Sequence, residues 1–396
     1  MTLKSVEAIQ RLLAGRPAEL AAARAAGAKV VGFQGYSLPE ELIHALGLIP
    51  IRIGLGGSDR LVELGGRYIS TKNCVYVRET VGLFADDTDP YITNSDVFAF
   101  DATCLQTFRT AEVVEYYFKK TVFIIGVPRN FYLDEANTYF AAELSNFVSR
   151  LEEFAGTKLT EANLAASIAL YNQIRAEIVA IYDYQATQHP RISWEQVFDV
   201  IQAGYVLDRQ EYLGLLQALH GELAAGQGEA VIGRTDDDEA RIFISGSVIP
   251  PGDKKLISII SELGGRIVGD DLWSGLIPYV EVDIKEPTIE AIAWAYLHRT
   301  PHGALPYLDL ATDGRIARLK SLIGTFKADG VIYHTLRYCD PYTFKAKETK
   351  DILEQIGIPL LELHTEYAGS DVEAIRTRVE AFIEMIKLKT ETEIAA

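Results

Sequence analysis

Lys29-Val-Val-Gly-Phe33, followed by a helical stretch from Pro39 to Leu46 and by Ile49-Pro-Ile-Arg-Ile53, is the part of the sequence that decides the fold. Two short apolar runs joined through a helix read as strand, helix, strand, with Gly54 to Gly57 as a flexible turn. The pattern then recurs. Val97-Phe-Ala-Phe100 and Thr121-Val-Phe-Ile-Ile125 read as short buried strands flanking a helix from about Leu105 to Lys119. Strands alternating with helices imply a parallel sheet covered by helices on both faces.

Beyond about Phe131 the strand signal stops until Gly226. Leu159, Leu164, Ile168, Tyr171, Ile174, Ile178 and Ile181 recur mostly at three- and four-residue spacing, the mark of one helical face. Ser193-Trp-Glu-Gln196 after Pro190 has the form of a capping box. The Gly-rich, then acidic, segment Gly226 to Glu239 reads as a linker, and its Asp236-Asp-Asp-Glu239 run as a solvated loop.

Alternation resumes after the linker. Arg241–Ser245, Arg266–Gly269, Gly330–His334 and Pro359–Leu363 read as strands; Asp253–Leu263, Ile316–Phe326, Phe344–Gln355 and Asp371–Ile386 read as helices, with a long irregular piece after Gly269. The expected architecture is α/β: two Rossmann-like open parallel-sheet lobes, residues 1–130 with a leading helix and residues 240–396, joined by a helical connecting region and linker over 131–239.

Composition narrows the function. A chain of 396 residues exceeds a single core, in keeping with two lobes. The net charge of −17 disfavours nucleic acid and anionic membrane as partners. Met1 to Gly27 reads as an Ala-rich amphipathic helix without the apolar centre of a signal peptide, and no eighteen apolar residues run together, so a membrane span is not expected. Three cysteines without a CxxC pair speak against a disulfide framework and for a reducing cytoplasm.

Those cysteines are the most pointed chemical signal. Cys74, Cys104 and Cys339 each stand where a predicted strand or loop gives way to a helix. Cys104 follows the strand ending at Phe100 and Cys339 the strand ending at His334, and ligands of open parallel sheets gather beyond the carboxyl ends of strands. Free backbone amides at helix starts favour anionic groups there. If the lobes face each other, the three thiols share one cavity, and three thiolates can hold a 4Fe-4S cluster with one iron open. Three unrelated buried thiols fit the same spacing, since free cysteine is among the most buried residue types.

Arg78, Arg109, Arg337 and Lys345 lie near the cysteines in sequence and are candidates to neutralise phosphates or cluster charge, or else structural ion-pair members. The loop Gly35-Tyr-Ser-Leu-Pro-Glu-Glu41 should open onto the same cleft. Tyr36, Ser37 and Glu40 are therefore candidates for substrate hydrogen bonds or proton transfer, although Ser-x-Pro-Glu is also an ordinary helix start. His298 and His302 are separated by Pro301 and lack a third ligand, which argues against zinc. No GxxxxGK[ST] and no dinucleotide fingerprint occurs, so ATP dependence would have to come from another protein.

Several segments, in order, resemble the 2-hydroxyacyl-CoA dehydratase and benzoyl-CoA reductase family. They are Val30-Val-Gly-Phe with Pro39-Glu-Glu-Leu-Ile-His-Ala-Leu-Gly-Leu-Ile-Pro50, Asn73-Cys-Val-Tyr-Val-Arg78, Thr103-Cys104, Arg337-Tyr-Cys-Asp340, Glu366-Tyr367 and Thr377 to Glu384. The resemblance implies that Cys74, Cys104 and Cys339 ligate one 4Fe-4S cluster per chain with an open fourth position. It also implies pairing with a related or identical subunit, an acyl-CoA substrate, and an electron from a separate ATP-hydrolysing iron–sulfur activator. In such dehydratases one electron enters the thioester to give a ketyl radical, the hydroxyl leaves, the β-proton becomes acidic, and the electron is returned. In the reductases, electrons are consumed in dearomatising the ring. A third reading is a partner subunit that carries a cluster without catalysing. The sequence departs from many relatives at Cys74-Val75, where they have Cys-Pro. No additional cysteines stand at Ser247 or in Asp270-Asp-Leu-Trp273, so a single cubane is expected.

Overall fold

The computed structural model describes residues 3–54, 56–231, 239–299 and 314–395. Asp236, Asp237, Asp238 and His302, singled out above, lie outside them.

The first half forms a sheet from β1 (Val30–Gln34), β2 (Ile49–Arg52), β3 (Val97–Asp101) and β4 (Val122–Ile125), in the order β2-β1-β3-β4. The second half builds a sheet of the same order, β6-β5-β7-β8, from β5 (Ala240–Gly246), β6 (Gly265–Asp270), β7 (Gly330–Leu336) and β8 (Leu360–Thr365). Every pairing in both sheets is parallel. β1 and β3 are buried along their whole length, which is why they read as continuous apolar runs rather than alternating ones. The α/β class with two Rossmann-like lobes is therefore what the chain adopts.

Among the described residues the helices of the first lobe are α1 (Lys4–Ala25), α2 (Glu40–Ala45), α3 (Asp59–Gly65), α4 (Val75–Asp86), α5 (Pro90–Thr93) and α6 (Leu105–Phe118). The middle of the chain supplies α7 (Asp134–Ala155), α8 (Glu161–Asp183), α9 (Trp194–Gly204) and α10 (Arg209–Ala224). The capping box is present at α9, with Ser193 and Gln196 each bonding the other's backbone N–H. The second lobe carries α11 (Lys255–Glu262), α12 (Ile289–His298), α13 (Arg315–Phe326), α14 (Asp340–Gln355) and α15 (Val372–Ala395).

Three features differ from the expectation. The short helix α3 occupies a stretch where the sequence pattern marks none. The segment that reads as irregular contains α12, whose Ile292, Ala293, Ala295, Tyr296 and Leu297 are buried in the same core as β1, β3 and α7. The second half of the chain thus reaches back onto the first lobe. Finally, α14 begins at Asp340, four residues before the expected Phe344, with Pro341 in its first turn, where a missing N–H costs nothing. One helical stretch, Glu161–Ala186, is long and apolar enough to cross a membrane by length and composition, yet Leu164, Ile168, Tyr171, Ile174 and Ile178 on it are buried in the protein's interior.

Separate cores lie on the two faces of the first sheet, and a larger one joins the second sheet to α9 and α10. A fourth, smaller cluster spans the lobes: Tyr36, Cys74, Val75, Tyr76 and Val77 meet Val248, Trp273, Ile277, Leu336 and Tyr367, with Cys339 packed against it.

Candidate functional site

Two α/β sheets of one topology place their strand exits at this junction, and there the three cysteines meet. Cys74, Cys104 and Cys339 all line one cavity of about 480 Å³ between the lobes. Each is also the residue immediately before a helix: Cys74 precedes α4, Cys104 precedes and caps α6, and Cys339 precedes α14. The Cys104 thiol accepts from the Thr107 N–H at 3.3 Å and lies 3.1 Å from the Thr107 hydroxyl. The Cys74 and Cys339 thiols hydrogen-bond each other. Three helix starts thus direct the partial positive charge of their amides toward one cavity.

The charge on the thiols follows from these contacts. Cys74 is the favoured thiolate: the hydrogen bond from Cys339, the N–H groups of Tyr76 and Val77 and the nearby Arg78 lower its pKa against the effect of burial. Donation to Cys74, together with burial, raises that of Cys339. Burial raises that of Cys104 as well.

The cysteine loops are held by defined contacts. Gln106 accepts the Cys74 N–H at 2.6 Å through Oε1 and donates through Nε2 to the Tyr338 carbonyl at 3.0 Å, tying the first lobe to the loop that carries Cys339. Tyr338 has φ 65°, a left-handed conformation unusual for a tyrosine, directly before Cys339. Asp101, at the end of β3, accepts from the Ser37 N–H at 2.5 Å and the Thr103 hydroxyl at 2.7 Å, fixing the loops on either side of it. A side chain on Gly35 would collide with the Asp101 carboxylate, so only glycine lets the two strand exits approach.

The other residues singled out in the sequence separate into two groups. Tyr36 and Lys345 line the cavity. Arg78 is buried beside Cys74, its Nε donating to the Asn73 carbonyl at 3.2 Å and its Nη2 3.7 Å from Glu366. Ser37 is buried next to Asp101 but does not line the cavity. Arg337 pairs with the same Glu366 at 3.1 Å and is half exposed, and Arg109 pairs with Glu112 on the surface of α6; neither lines the cavity. Glu40 does not join the cysteines. Its chain turns at Pro39 into α2, and its carboxylate meets Arg209 at 2.6 Å and the Tyr171 hydroxyl at 3.2 Å in a second, smaller cavity.

Gln106, Arg129, Val248, Trp273 and Tyr342 also line the cavity, and the sequence pattern does not mark them as site residues. The exits of β5 and β6 carry the signal for Val248 and Trp273, as those of β3 and β7 do for Cys104 and Cys339. Ser247 and Trp273, which stand where further cysteines would be sought, are themselves in the wall.

Among the described residues no group of three or more His, Cys, Asp or Glu side chains could hold a metal ion. The three thiols ring a cavity instead. Soft donors spread around a space of this size suit a polynuclear cluster rather than a lone ion, and the converging helix starts suit its negative charge. Cys74, Cys104 and Cys339 are the residues here that could hold an iron–sulfur cluster.

Fold and site together define a two-lobed α/β protein with a three-cysteine cavity at the junction of its sheets. Residues 36–386 match the family described as 2-hydroxyglutaryl-CoA dehydratase, D-component, and the chain belongs to that family. It is 26% identical over 363 residues to one of the benzoyl-CoA reductase subunits of Thauera aromatica, covering 91% of both chains. It is 24% identical over 393 residues to the beta subunit of (R)-2-hydroxyglutaryl-CoA dehydratase of Acidaminococcus fermentans, covering 96% of this chain and 98% of that one. The (R)-phenyllactyl-CoA dehydratase beta subunit of Clostridium sporogenes is 23% identical over 369 residues, 91% of this chain and 92% of its own.

Proposed function

We propose that this chain is the iron–sulfur subunit of a 2-hydroxyacyl-CoA dehydratase, with one 4Fe-4S cluster held by Cys74, Cys104 and Cys339 and a fourth position left open. The observation that carries this is the meeting of three cysteines, each at the start of a different helix, around one cavity. Bound there, the cluster supplies one-electron chemistry. The chain's own residues supply the setting. Arg78 and Lys345 offset negative charge at the thiols, Gln106 holds the Cys74 loop against the Cys339 loop, and Trp273 and Tyr342 wall the cavity, with the exposed Phe344 at its rim. Tyr36 is the candidate hydrogen-bonding group toward substrate from the first strand exit.

The reading includes a related or identical partner subunit, in keeping with relatives that are themselves named as subunits. It also includes a separate ATP-hydrolysing iron–sulfur activator, an acyl-CoA substrate and a reducing cytoplasm. A second reading, a subunit of an ATP-dependent benzoyl-CoA-type reductase, is favoured by the likeness to the Thauera aromatica protein.

Anaerobic purification followed by iron and sulfide analysis tests both. About four irons per chain are expected, lost in Cys104→Ala. A colourless, iron-free, air-stable protein overturns the proposal. Reductant consumed in proportion to product identifies a reductase, whereas catalytic priming alone identifies a dehydratase. Electron paramagnetic resonance of the cluster that ignores added acyl-CoA would mark a non-catalytic partner subunit.

A further inference from the structure

The cavity that holds Glu40 is separate from the cysteine site and has its own chemistry. It has a volume of about 50 Å³ and lies behind Gly35 and Tyr36, which form the wall it shares with the cysteine cavity. Four arginines line it: Arg52, Arg175, Arg209 and Arg299. Two of them have acidic partners. Arg209 is paired with Glu40 at 2.6 Å, and Arg175 is paired with the buried Glu41.

Arg52 and Arg299 have no carboxylate partner among the described residues. Arg52 is 6% exposed, its guanidinium lying 4.2 Å from the centre of the Tyr205 ring and 4.9 Å from that of Trp273. Its Nε and Nη2 are buried without a hydrogen-bond partner. Those two nitrogens form the edge of the guanidinium that grips a carboxylate side-on. Arg299 is 5% exposed, lies 3.6 Å over the Tyr36 ring and gives one bond, from Nη2 to the Tyr36 carbonyl; its Nε has no partner. The aromatic faces hold both cations flat but supply no anion. The tyrosines around them supply none either, because burial raises the pKa of Tyr171, Tyr205, Tyr212, Tyr279 and Tyr296 and keeps each phenol neutral.

Glu40, the carboxylate whose charge reaches Arg52, is already paired with Arg209, so among the described residues the two guanidiniums keep buried N–H groups with no acceptor, which is costly, and a bound anion removes that cost. We propose that Arg52 and Arg299 make this second cavity a binding site for a carboxylate-sized anion. Size selects the class: a space of this volume takes about three or four waters, or one planar carboxylate or bicarbonate, and is too small for a nucleotide or sugar phosphate. The site does not depend on the cluster, and its test uses no iron.

The full-length chain is titrated with formate and saturation transfer from protein to the formate proton is recorded. The wild type should show a saturable signal that bicarbonate competes away. Arg52→Gln should abolish it, and Arg52→Lys, which keeps the charge and loses the fork, should weaken binding at least ten-fold. Circular dichroism identifies variants that fold; if Arg52→Gln does not, Arg52→Lys alone decides. A parallel titration with glutarate separates the sources. Tighter binding of glutarate than of formate assigns the site to the end of a longer acid reaching past Tyr36, and formate binding alone assigns it to a free anion. A wild type that transfers no more signal than its folded Arg52 variant overturns the proposal.

Discussion

A buried carboxylate beside the cysteine site sets the residue-scale expectation. Glu79 lies on α4, one turn beyond Cys74's helix start, and accepts the Ser58 N–H at 2.6 Å. Burial raises its pKa to about 7, against the pull of the N–H groups of Ser58, Gly57 and Gly56. Because the folded value lies above the ordinary carboxylate value of 4.5, the group's contribution to stability is whole below that pH and is lost as the pH rises through about 7. A difference of this size corresponds to about 3 kcal/mol. Glu79→Gln does not titrate, so the stability of the wild type relative to this variant should decline by about that amount between acid and mildly alkaline pH. Urea unfolding of both proteins across that range measures it, and a constant gap would refute the role. At this scale the sequence is legible for the cysteines, which stand beside helix starts that periodicity locates. It is silent on Glu79, whose surroundings come from a loop some twenty residues earlier, and on Glu40, whose fate depends on Arg209 in another helix.

Helix α4 owes its place to glycines. A side chain on Gly65 at the end of α3 would collide with the Arg78 carbonyl, and one on Gly82 in α4 would collide with the Leu61 carbonyl. The two backbones therefore touch, and α3 acts as a brace that fixes the start of α4 and with it Cys74. Gly82→Ala adds one methyl group where none fits, and overpacking of this kind costs about 1–3 kcal/mol. Thermal unfolding should show a lowered midpoint for Gly82→Ala, while alanine at Gly214, which lies inside α10 with open space around it, should hold the midpoint or raise it slightly because alanine is the better helix former. Equal effects at the two positions would remove the brace argument. The long elements are readable from their period. α3 is not, being seven residues long, and neither is α12, where apolar residues occupy so much of Ile289–His298 that no stripe stands out. The start of α14 is hidden because Asp340-Pro341 resembles a break, although proline is suited to a first helical turn.

At the scale of the molecule, the cavity exists because the lobes meet, and little holds them at the thiols themselves. Gln106 bridges them there, joining the Cys74 N–H to the Tyr338 carbonyl beside the hydrogen bond between the Cys74 and Cys339 thiols, with Arg78 and Arg337 converging on Glu366 at one side and Tyr76 against Trp273 at 5.3 Å below. The sequence locates each strand exit. It does not say that exits separated by more than half the chain share a cavity, since no local pattern encodes how one sheet sits against another. That relation rests on contacts such as the Gln106 bridge and is open to a test. A hydrogen bond of this kind contributes about 1 kcal/mol, so Gln106→Ala should raise the population of the locally opened junction roughly five-fold. Pulse alkylation of the metal-free chain, followed by peptide mass analysis, reads that opening at Cys74, which is 7% exposed in the closed state. Its modification should quicken by about the same factor while the thermal midpoint barely moves, because the lobes keep their own cores. If Cys74 reacts at the wild-type rate in Gln106→Ala, the other contacts across the junction hold the lobes together, and the bridge serves only to orient the cysteine loop.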